Sequence, residues 1–151
     1  MLVRVAGSLL LSQLGALGAT SLAAAGLGTA LHSVVLMMSM GLLLGMTPLV
    51  SQAFGAGDRL ELRRVAVQGF WLALFTSVPL VIYNLLGRDI ALAFGQPAQI
   101  AELAGGYMAA LASGVPSFLL FIAARQYLEG MGRTTPAMVI TFLALGANYF
   151  A

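Results

Sequence analysis

The side chains that could do chemistry are sparse in this sequence. Its 151 residues include five carboxylates, seven arginines, one histidine and no cysteine. Without cysteine there is no thiolate nucleophile, disulfide or cysteine metal site, and one histidine is too few for a metal cluster. The sequence also has no nucleophile elbow, no phosphate-binding glycine loop with lysine, and no facing pair of acids. It therefore predicts a protein that is not an enzyme and that holds no metal or other cofactor.

One carboxamide lies deep in an apolar stretch and is the leading candidate for ligand binding. Asn148 stands about twelve residues into the last apolar segment, which begins near Pro136. A buried carboxamide needs partners, and it can coordinate a cation or a substrate through its carbonyl oxygen. Hydrogen bonding to a neighbouring helix is the other explanation. His32 is interpreted as a satisfied side chain near a membrane interface or, alternatively, as part of a proton relay.

A stripe of small and polar residues is the second candidate surface. Positions spaced by four, three and four residues share one helix face, and here they are Gly41, Gly45, Pro48 and Gln52. Thr47 lies just beside them. Small residues let helices approach closely in lipid, so the stripe is interpreted either as a packing face or as a substrate-lining surface. Thr47 and Gln52 thus join Asn148 as candidate cavity residues.

The elements that position these residues are predicted to be membrane helices. The chain is 60% hydrophobic and only 8% charged, which leaves too few polar groups to cover a soluble domain. The charged side chains fall near the ends of apolar runs, so these 151 residues provide no intramembrane acid to bind a proton or a sodium ion. The predicted fold is all-α, a bundle of transmembrane helices in a lipid bilayer.

A helix needs about 20 apolar residues to cross a bilayer, and the apolar runs of this chain mark four or five spans, of which the first is short for a full crossing. The predicted spans are residues 2–17, 22–54, 65–86, 97–128 and 136–151, the last cut short by the chain end. Residues 22–54 exceed what one bilayer needs and must tilt, project or bend. Pro48, Pro79 and Pro116 each remove a backbone hydrogen bond deep in a span and invite a bend. Gly55-Ala56-Gly57 and Gly130-Met131-Gly132 are expected to be helix ends with left-handed glycines.

The arginines set the expected orientation. The turns at residues 55–64 and 129–135 are separated by two spans, so they lie on the same side of the membrane. With Arg4 and Arg125 these turns account for six of the seven arginines, and only Arg88 lies on the other side. The positive-inside rule therefore makes both turns cytoplasmic. The arginines are too scattered for a nucleic-acid footprint, and nucleic acid is excluded as a partner.

Three strings of this sequence resemble the multidrug and toxic compound extrusion (MATE) family. Residues 47–58 read TPLVSQAFGAGD and are similar to the end of the family's second helix, which is the most specific match. Residues 15–24, GALGATSLAA, resemble the stretch between helices one and two. Residues 125–140, RQYLEGMGRTTPAMVI, resemble the junction between helices four and five. Their order and spacing agree over essentially the whole chain.

The resemblance implies about twelve helices in two six-helix lobes, which export cationic or amphipathic compounds in exchange for protons or sodium by alternating access. Residues 1–151 would then be part of the N-terminal lobe. The implied partners are organic cation substrates and the C-terminal lobe of the same transporter, and the implied location is the bacterial inner membrane. Leu10 stands where one branch of the family carries a coupling aspartate, which is a departure, whereas Asn148 matches an asparagine of the fifth helix.

Two alternatives remain open from the sequence. A lipid or polysaccharide flippase of the same broad superfamily shares the helix plan, but its cavity is usually lined with basic residues, and no arginine falls in the middle of a span here. A small membrane protein that oligomerises as a scaffold or pore is the other alternative, since four helices can assemble through the face that holds Gly41 and Gly45.

Overall fold

The structure is a computed structural model that describes residues 18–133. The predicted spans at residues 2–17 and 136–151 lie outside the described residues, as do Leu10 and Asn148. Within residues 18–133 the chain forms helices joined by short turns and contains no strand. The prediction of an all-α fold is confirmed.

Six helices follow one another along the described chain. They are α1 (Ala19–Leu44), α2 (Met46–Gly55), α3 (Arg59–Leu85), α4 (Gly87–Ala93), α5 (Ala98–Ala112) and α6 (Val115–Gly130). Helices α1 and α2 together run from Thr20 to Gly55, 36 residues, and α3 has 27. Both are long and apolar enough to cross a membrane, and α5 with α6 make a third crossing if they form one broken span. The fold is a transmembrane helix bundle.

Two of the three prolines that lie deep in predicted spans, Pro48 and Pro116, coincide with helix ends. A proline lacks the N–H that would bond the carbonyl four residues earlier, and its ring clashes with that carbonyl. The residue four before Pro48 is Leu44, the last residue of α1, and the residue four before Pro116 is Ala112, the last of α5. Pro79 instead lies inside α3, which continues through it to Leu85.

Left-handed glycines close α2 and α6, as predicted. Gly57 has φ of 69° and Gly132 has φ of 71°. The amide of the following residue then reaches back to the helix: Asp58 donates to the carbonyl of Ala53 at 3.0 Å, and Arg133 donates to that of Leu128 at 2.9 Å. These bonds satisfy carbonyls that the last helical turn leaves free. The Asp58 carboxylate also accepts hydrogen bonds from the amides of residues 60 and 61, which caps α3.

The chain forms two compact units, each of which contains parts of several helices. The described part of the first is residues 18–37 and 78–115. In this unit α4 packs on α5, and Gly105 of α5 lies directly against the backbone of Arg88. Gly28 of α1 lies against the ring of Tyr107 and the carbonyl of Ala104. Small residues therefore set the close approach of these helices, as expected in lipid.

The described part of the second unit is residues 38–77 and 116–133. Here the buried face of α3 repeats every four residues, at Val65, Gly69, Ala73 and Ser77. Gly69 faces the side chain of Met46, at the start of α2. Gly130, the last residue of α6, lies against Val50 and the carbonyl of Thr47 in α2. In this unit too, glycine is found where two helices come closest.

Candidate functional site

Thr47 and Gln52, two of the three predicted cavity residues, lie on α2. Gln52 is exposed and Thr47 is half-buried. Their side chains are five positions apart, so they leave the helix axis about 140° apart. The two residues therefore do not present their side chains on one face of the helix. Asn148, the third predicted residue, lies outside the described residues.

The hydroxyl of Thr47 is a buried polar group without a hydrogen-bond partner among residues 18–133. A threonine hydroxyl in a helix commonly bonds the carbonyl three or four residues earlier. For Thr47 these carbonyls belong to Leu43 and Leu44, which precede the helix break at Gly45. The break thus removes the usual local acceptor, and the hydroxyl is left available to a ligand or to another part of the protein. Ser51, one turn later in an unbroken helix, bonds the carbonyl of Pro48 at 3.0 Å.

The glycine stripe beside Thr47 is open in the described structure. A Cβ placed on Gly41 would meet no atom of another residue within 4 Å, and one placed on Gly45 would meet only the carbonyl of Leu42, at 3.4 Å. Residues 18–133 therefore do not supply the helix that the packing interpretation requires at Gly41. Both interpretations of the stripe, as a packing face or as a substrate-lining surface, therefore stay predictions.

A second polar cluster, in the first compact unit, centres on Asn84. This side chain is fully buried. Its Nδ2 donates to the carbonyl of Leu80 at 2.7 Å, and its Oδ1 lies 2.8 Å from Nδ1 of His32 on α1. Because Asn84 Oδ1 can only accept, Nδ1 of His32 must carry the proton. In a neutral ring Nε2 is then left as an acceptor, so Asn84 selects the tautomer of the chain's one histidine.

Two longer hydrogen bonds surround this pair. The hydroxyl of Tyr83 donates to the carbonyl of Leu31 at 3.3 Å, and the hydroxyl of Thr29 donates to that of Tyr107 at the same distance. These hydrogen bonds connect α1 with α3 and with α5. We call residues Thr29, His32, Tyr83, Asn84 and Tyr107 the polar cluster.

Sequence reasoning missed Asn84. The residue lies near the end of an apolar run, where an asparagine reads as an ordinary interfacial side chain. The available signal was its spacing, four residues after Leu80 and three before Gly87, both of which are buried. A carboxamide on the buried face of a membrane helix needs a partner from another helix. Here that partner is His32.

Removing the Asn84 carboxamide is expected to destabilise the first unit. Asn84→Leu leaves His32 Nδ1 without its acceptor and should lower the free energy of unfolding by about 1–3 kcal/mol. Combined with His32→Leu in a double-mutant cycle, the coupling between the two side chains should be about 0.6–1.7 kcal/mol. The measurement is unfolding of the purified protein in mixed micelles with increasing denaturing detergent.

Tyr83→Phe serves as the control for this cycle. It removes a long hydrogen bond from the same cluster, so it should change the free energy of unfolding by less than about 0.5 kcal/mol. Strict additivity of Asn84→Leu and His32→Leu would contradict the assigned pairing.

The architecture of long apolar helices with isolated neutral polar groups defines an integral membrane protein. Comparison with known proteins specifies the family: the MatE family model matches residues 1–151. The chain belongs to the MatE family, and the resemblance seen in its sequence is confirmed. No solved structure gave a significant match.

Curated relatives agree with this assignment. The chain is 39% identical over 138 residues to "Probable multidrug resistance protein NorM" of Bradyrhizobium diazoefficiens, an alignment that covers 91% of this chain and 30% of that protein. It is also 39% identical over 136 residues to "Multidrug resistance protein MdtK" of Klebsiella pneumoniae strain 342, covering 89% of this chain and 30% of that protein. The chain thus spans about 30% of the length of these relatives.

Proposed function

We propose that the chain works as part of a longer secondary transporter, which exports cationic or amphipathic compounds in exchange for protons or sodium. The observation that carries the proposal is the match of the MatE family model to residues 1–151. The two relatives described above are both named as multidrug resistance proteins. As part of the N-terminal lobe, this chain would contribute one wall of the substrate pathway, and the remaining helices would complete it.

The chemistry of the described helices supports an organic cation rather than an anion as the substrate. The interior of α1 and α2 contains no acid, lysine or arginine and has His32 as its one histidine, and α3 contains no acid, lysine, arginine or histidine after Arg64. Neutral oxygens and aromatic faces can accept a bulky cation there without an ion pair. The cavity of the flippase alternative is usually lined with basic groups, and no arginine lies in the middle of a predicted span within residues 18–133.

The candidate cavity residues have distinct proposed roles. Asn148 would coordinate the cation or the substrate through its carbonyl oxygen. Thr47 would offer its hydroxyl, which has no hydrogen-bond partner within residues 18–133, and the exposed Gln52 would line the pathway where the helix ends. The coupling ion would bind outside the described spans, because the acids of residues 18–133 lie at helix ends or in turns, at Asp58, Glu61, Asp89, Glu102 and Glu129.

The proposed location is the bacterial inner membrane, with residues 55–64 and 129–135 facing the cytoplasm. Arg59, Arg63, Arg64 and Arg133 are all exposed within or beside the turns that precede α3 and follow α6. This charge would interact with the anionic cytoplasmic leaflet, in line with the positive-inside rule. Cysteine labelling from each side of the membrane tests the orientation.

A chimera tests the proposed export. The matching 30% of the Bradyrhizobium relative is replaced by this chain, and the product is expressed in cells without their own multidrug pumps. We expect lower accumulation of a fluorescent organic cation than in cells with the empty vector. Collapse of the proton gradient or removal of sodium then identifies the coupling ion.

The control for the chimera is Asn148→Ala, which should cut export by about tenfold or more at equal membrane expression, the loss expected when one binding contact of about 1.4 kcal/mol disappears. A chimera that inserts normally but accumulates dye like the empty vector contradicts the proposed function.

A further inference from the structure

Two adjoining grooves run along one face of α3 in the second compact unit. The first has a volume of about 350 Å³ and is lined by Leu60, Arg63, Arg64, Val67 and Gln68. The second has a volume of about 290 Å³ and is lined by Val67, Phe70, Trp71, Leu74 and Leu120. Val67 belongs to both. Positions 60, 63, 64, 67, 70, 71 and 74 follow the spacing of one helix face, so the two grooves form one continuous surface, which we call the α3 groove.

The two ends of the α3 groove differ in chemistry. The end that is far from the arginines is apolar and aromatic. There Trp71 stacks on Phe75, with ring centroids 5.7 Å apart. Its other end carries two arginines. Arg63 makes no ion pair with any residue of the described chain, while Arg64 has only a long contact of 3.5 Å with Glu61, and both side chains are exposed. An unpaired guanidinium next to an apolar groove suits an amphipathic ligand with an anionic head.

The length of the groove matches one leaflet of a bilayer. Ten residues separate Arg64 from Leu74, which is about 15 Å along a helix. The hydrocarbon core of a bilayer is about 30 Å thick, so one leaflet contributes about 15 Å. A headgroup phosphate at the arginines would therefore place the end of its acyl chain near Leu74. A drug cation would be repelled by the same two arginines. A soluble peptide would not enter the hydrocarbon layer of the bilayer as far as Leu74.

We propose that the α3 groove binds an anionic phospholipid. Arg63 and Arg64 hold the headgroup phosphate, and one acyl chain lies along Val67, Trp71 and Leu74. Neither Thr47 nor Gln52 lines the groove, and the proposal depends on the membrane location of the chain but not on export. It would anchor the cytoplasmic end of α3 to the anionic leaflet through a specific lipid rather than through general surface charge.

Trp71 makes the proposal directly testable, because it is the single tryptophan of the chain. The 151-residue protein is reconstituted in vesicles of phosphatidylcholine that contain small, increasing fractions of a brominated lipid, which quenches tryptophan on contact. We expect brominated phosphatidylglycerol to quench Trp71 at a mole fraction many times lower than brominated phosphatidylcholine. Each arginine should contribute about a fivefold preference.

Arg63→Gln and Arg133→Gln form a matched pair. Both remove one exposed arginine, and neither arginine makes an ion pair within the described residues. Arg63→Gln should lower the preference for phosphatidylglycerol about fivefold, the double change of Arg63 and Arg64 should bring it close to one, and Arg133→Gln should leave it unchanged. Circular dichroism establishes that each variant keeps its helix content.

Three outcomes would overturn the proposal. Equal quenching by both lipids means that the groove takes acyl chains without reading the headgroup. An equal loss in Arg63→Gln and Arg133→Gln means that the attraction is general surface charge. Weak quenching by both lipids means that a protein segment, rather than lipid, covers Trp71.

Discussion

Gly105→Leu is expected to lower the free energy of unfolding by about 2 kcal/mol, while Gly106→Leu, at the next position, should raise it by up to about 0.8 kcal/mol. A Cβ at Gly105 would lie 2.7 Å from Cβ of Arg88 and 2.9 Å from its backbone N and Cα. Backbone atoms cannot rotate away, so α4 and α5 would have to separate. Overpacking of this kind typically costs 1–3 kcal/mol, and leucine stands at the upper end.

Gly106 is a close control because both glycines lie in α5 and both changes gain about 0.8 kcal/mol of helix propensity. Gly106 is exposed, and a Cβ there would meet no atom of another described residue within 4 Å. The measurement is detergent-induced unfolding in mixed micelles, followed by circular dichroism. Equal stability of the two variants would mean that α4 and α5 are not held in the close contact described.

Proline alone does not determine where the helices of this chain end. The sequence marked Pro48, Pro79 and Pro116 alike as sites of bending, yet only the first and last coincide with helix ends. The difference lies in what precedes them. Gly45 stands three residues before Pro48 and Gly114 two before Pro116, whereas the three residues before Pro79 include no glycine.

The physical reason is the combined effect of the two residue types. Proline leaves one carbonyl without its helical partner, and glycine lowers the helix propensity of the same turn by about 1 kcal/mol. Together they end the helix, but proline alone is tolerated in α3. In that helix the hydroxyls of Thr76 and Ser77 also bond carbonyls of the preceding turn, at residues 72 and 74. The length of the apolar runs therefore predicts that helices form. Where a helix breaks is predicted only by a proline together with a glycine two or three residues before it.

The candidate site was less predictable, because burial in a membrane protein depends on which helix faces which. Gln52 and Thr47 were grouped by sequence proximity to one stripe, yet the structure leaves Gln52 exposed and Thr47 half-buried, and the Thr47 hydroxyl has no partner in the described part of the chain. Asn84 is not part of a recognisable sequence motif. It matters because it hydrogen-bonds to His32, 52 positions earlier in the chain. Hydropathy gives the spans, but a pairing between distant helices has no local signature.

Pro116→Ala is expected to raise helix stability while it lowers export about tenfold in the chimera. Alanine at this position restores an N–H that can bond the carbonyl of Ala112, and it gains up to about 3 kcal/mol of helix propensity. Residues 98–130 should then form one continuous helix in place of α5 and α6. Amide hydrogen exchange at residues 113–115 should slow markedly, because these amides would then lie inside one continuous helix.

Pro79→Ala is the matched control. It makes the same chemical change within a helix that is already continuous, so it should gain stability without a change in export rate. At a break between helices, backbone dihedral angles can change during an opening and closing cycle, whereas an unbroken helix moves as one rigid body. If Pro116→Ala slows exchange at residues 113–115 but exports as fast as the unchanged chimera, the break is a feature of the resting fold and has no part in transport. If exchange does not slow, Gly114 alone is sufficient to end α5, and the helix propensity of glycine outweighs the hydrogen bond that alanine restores.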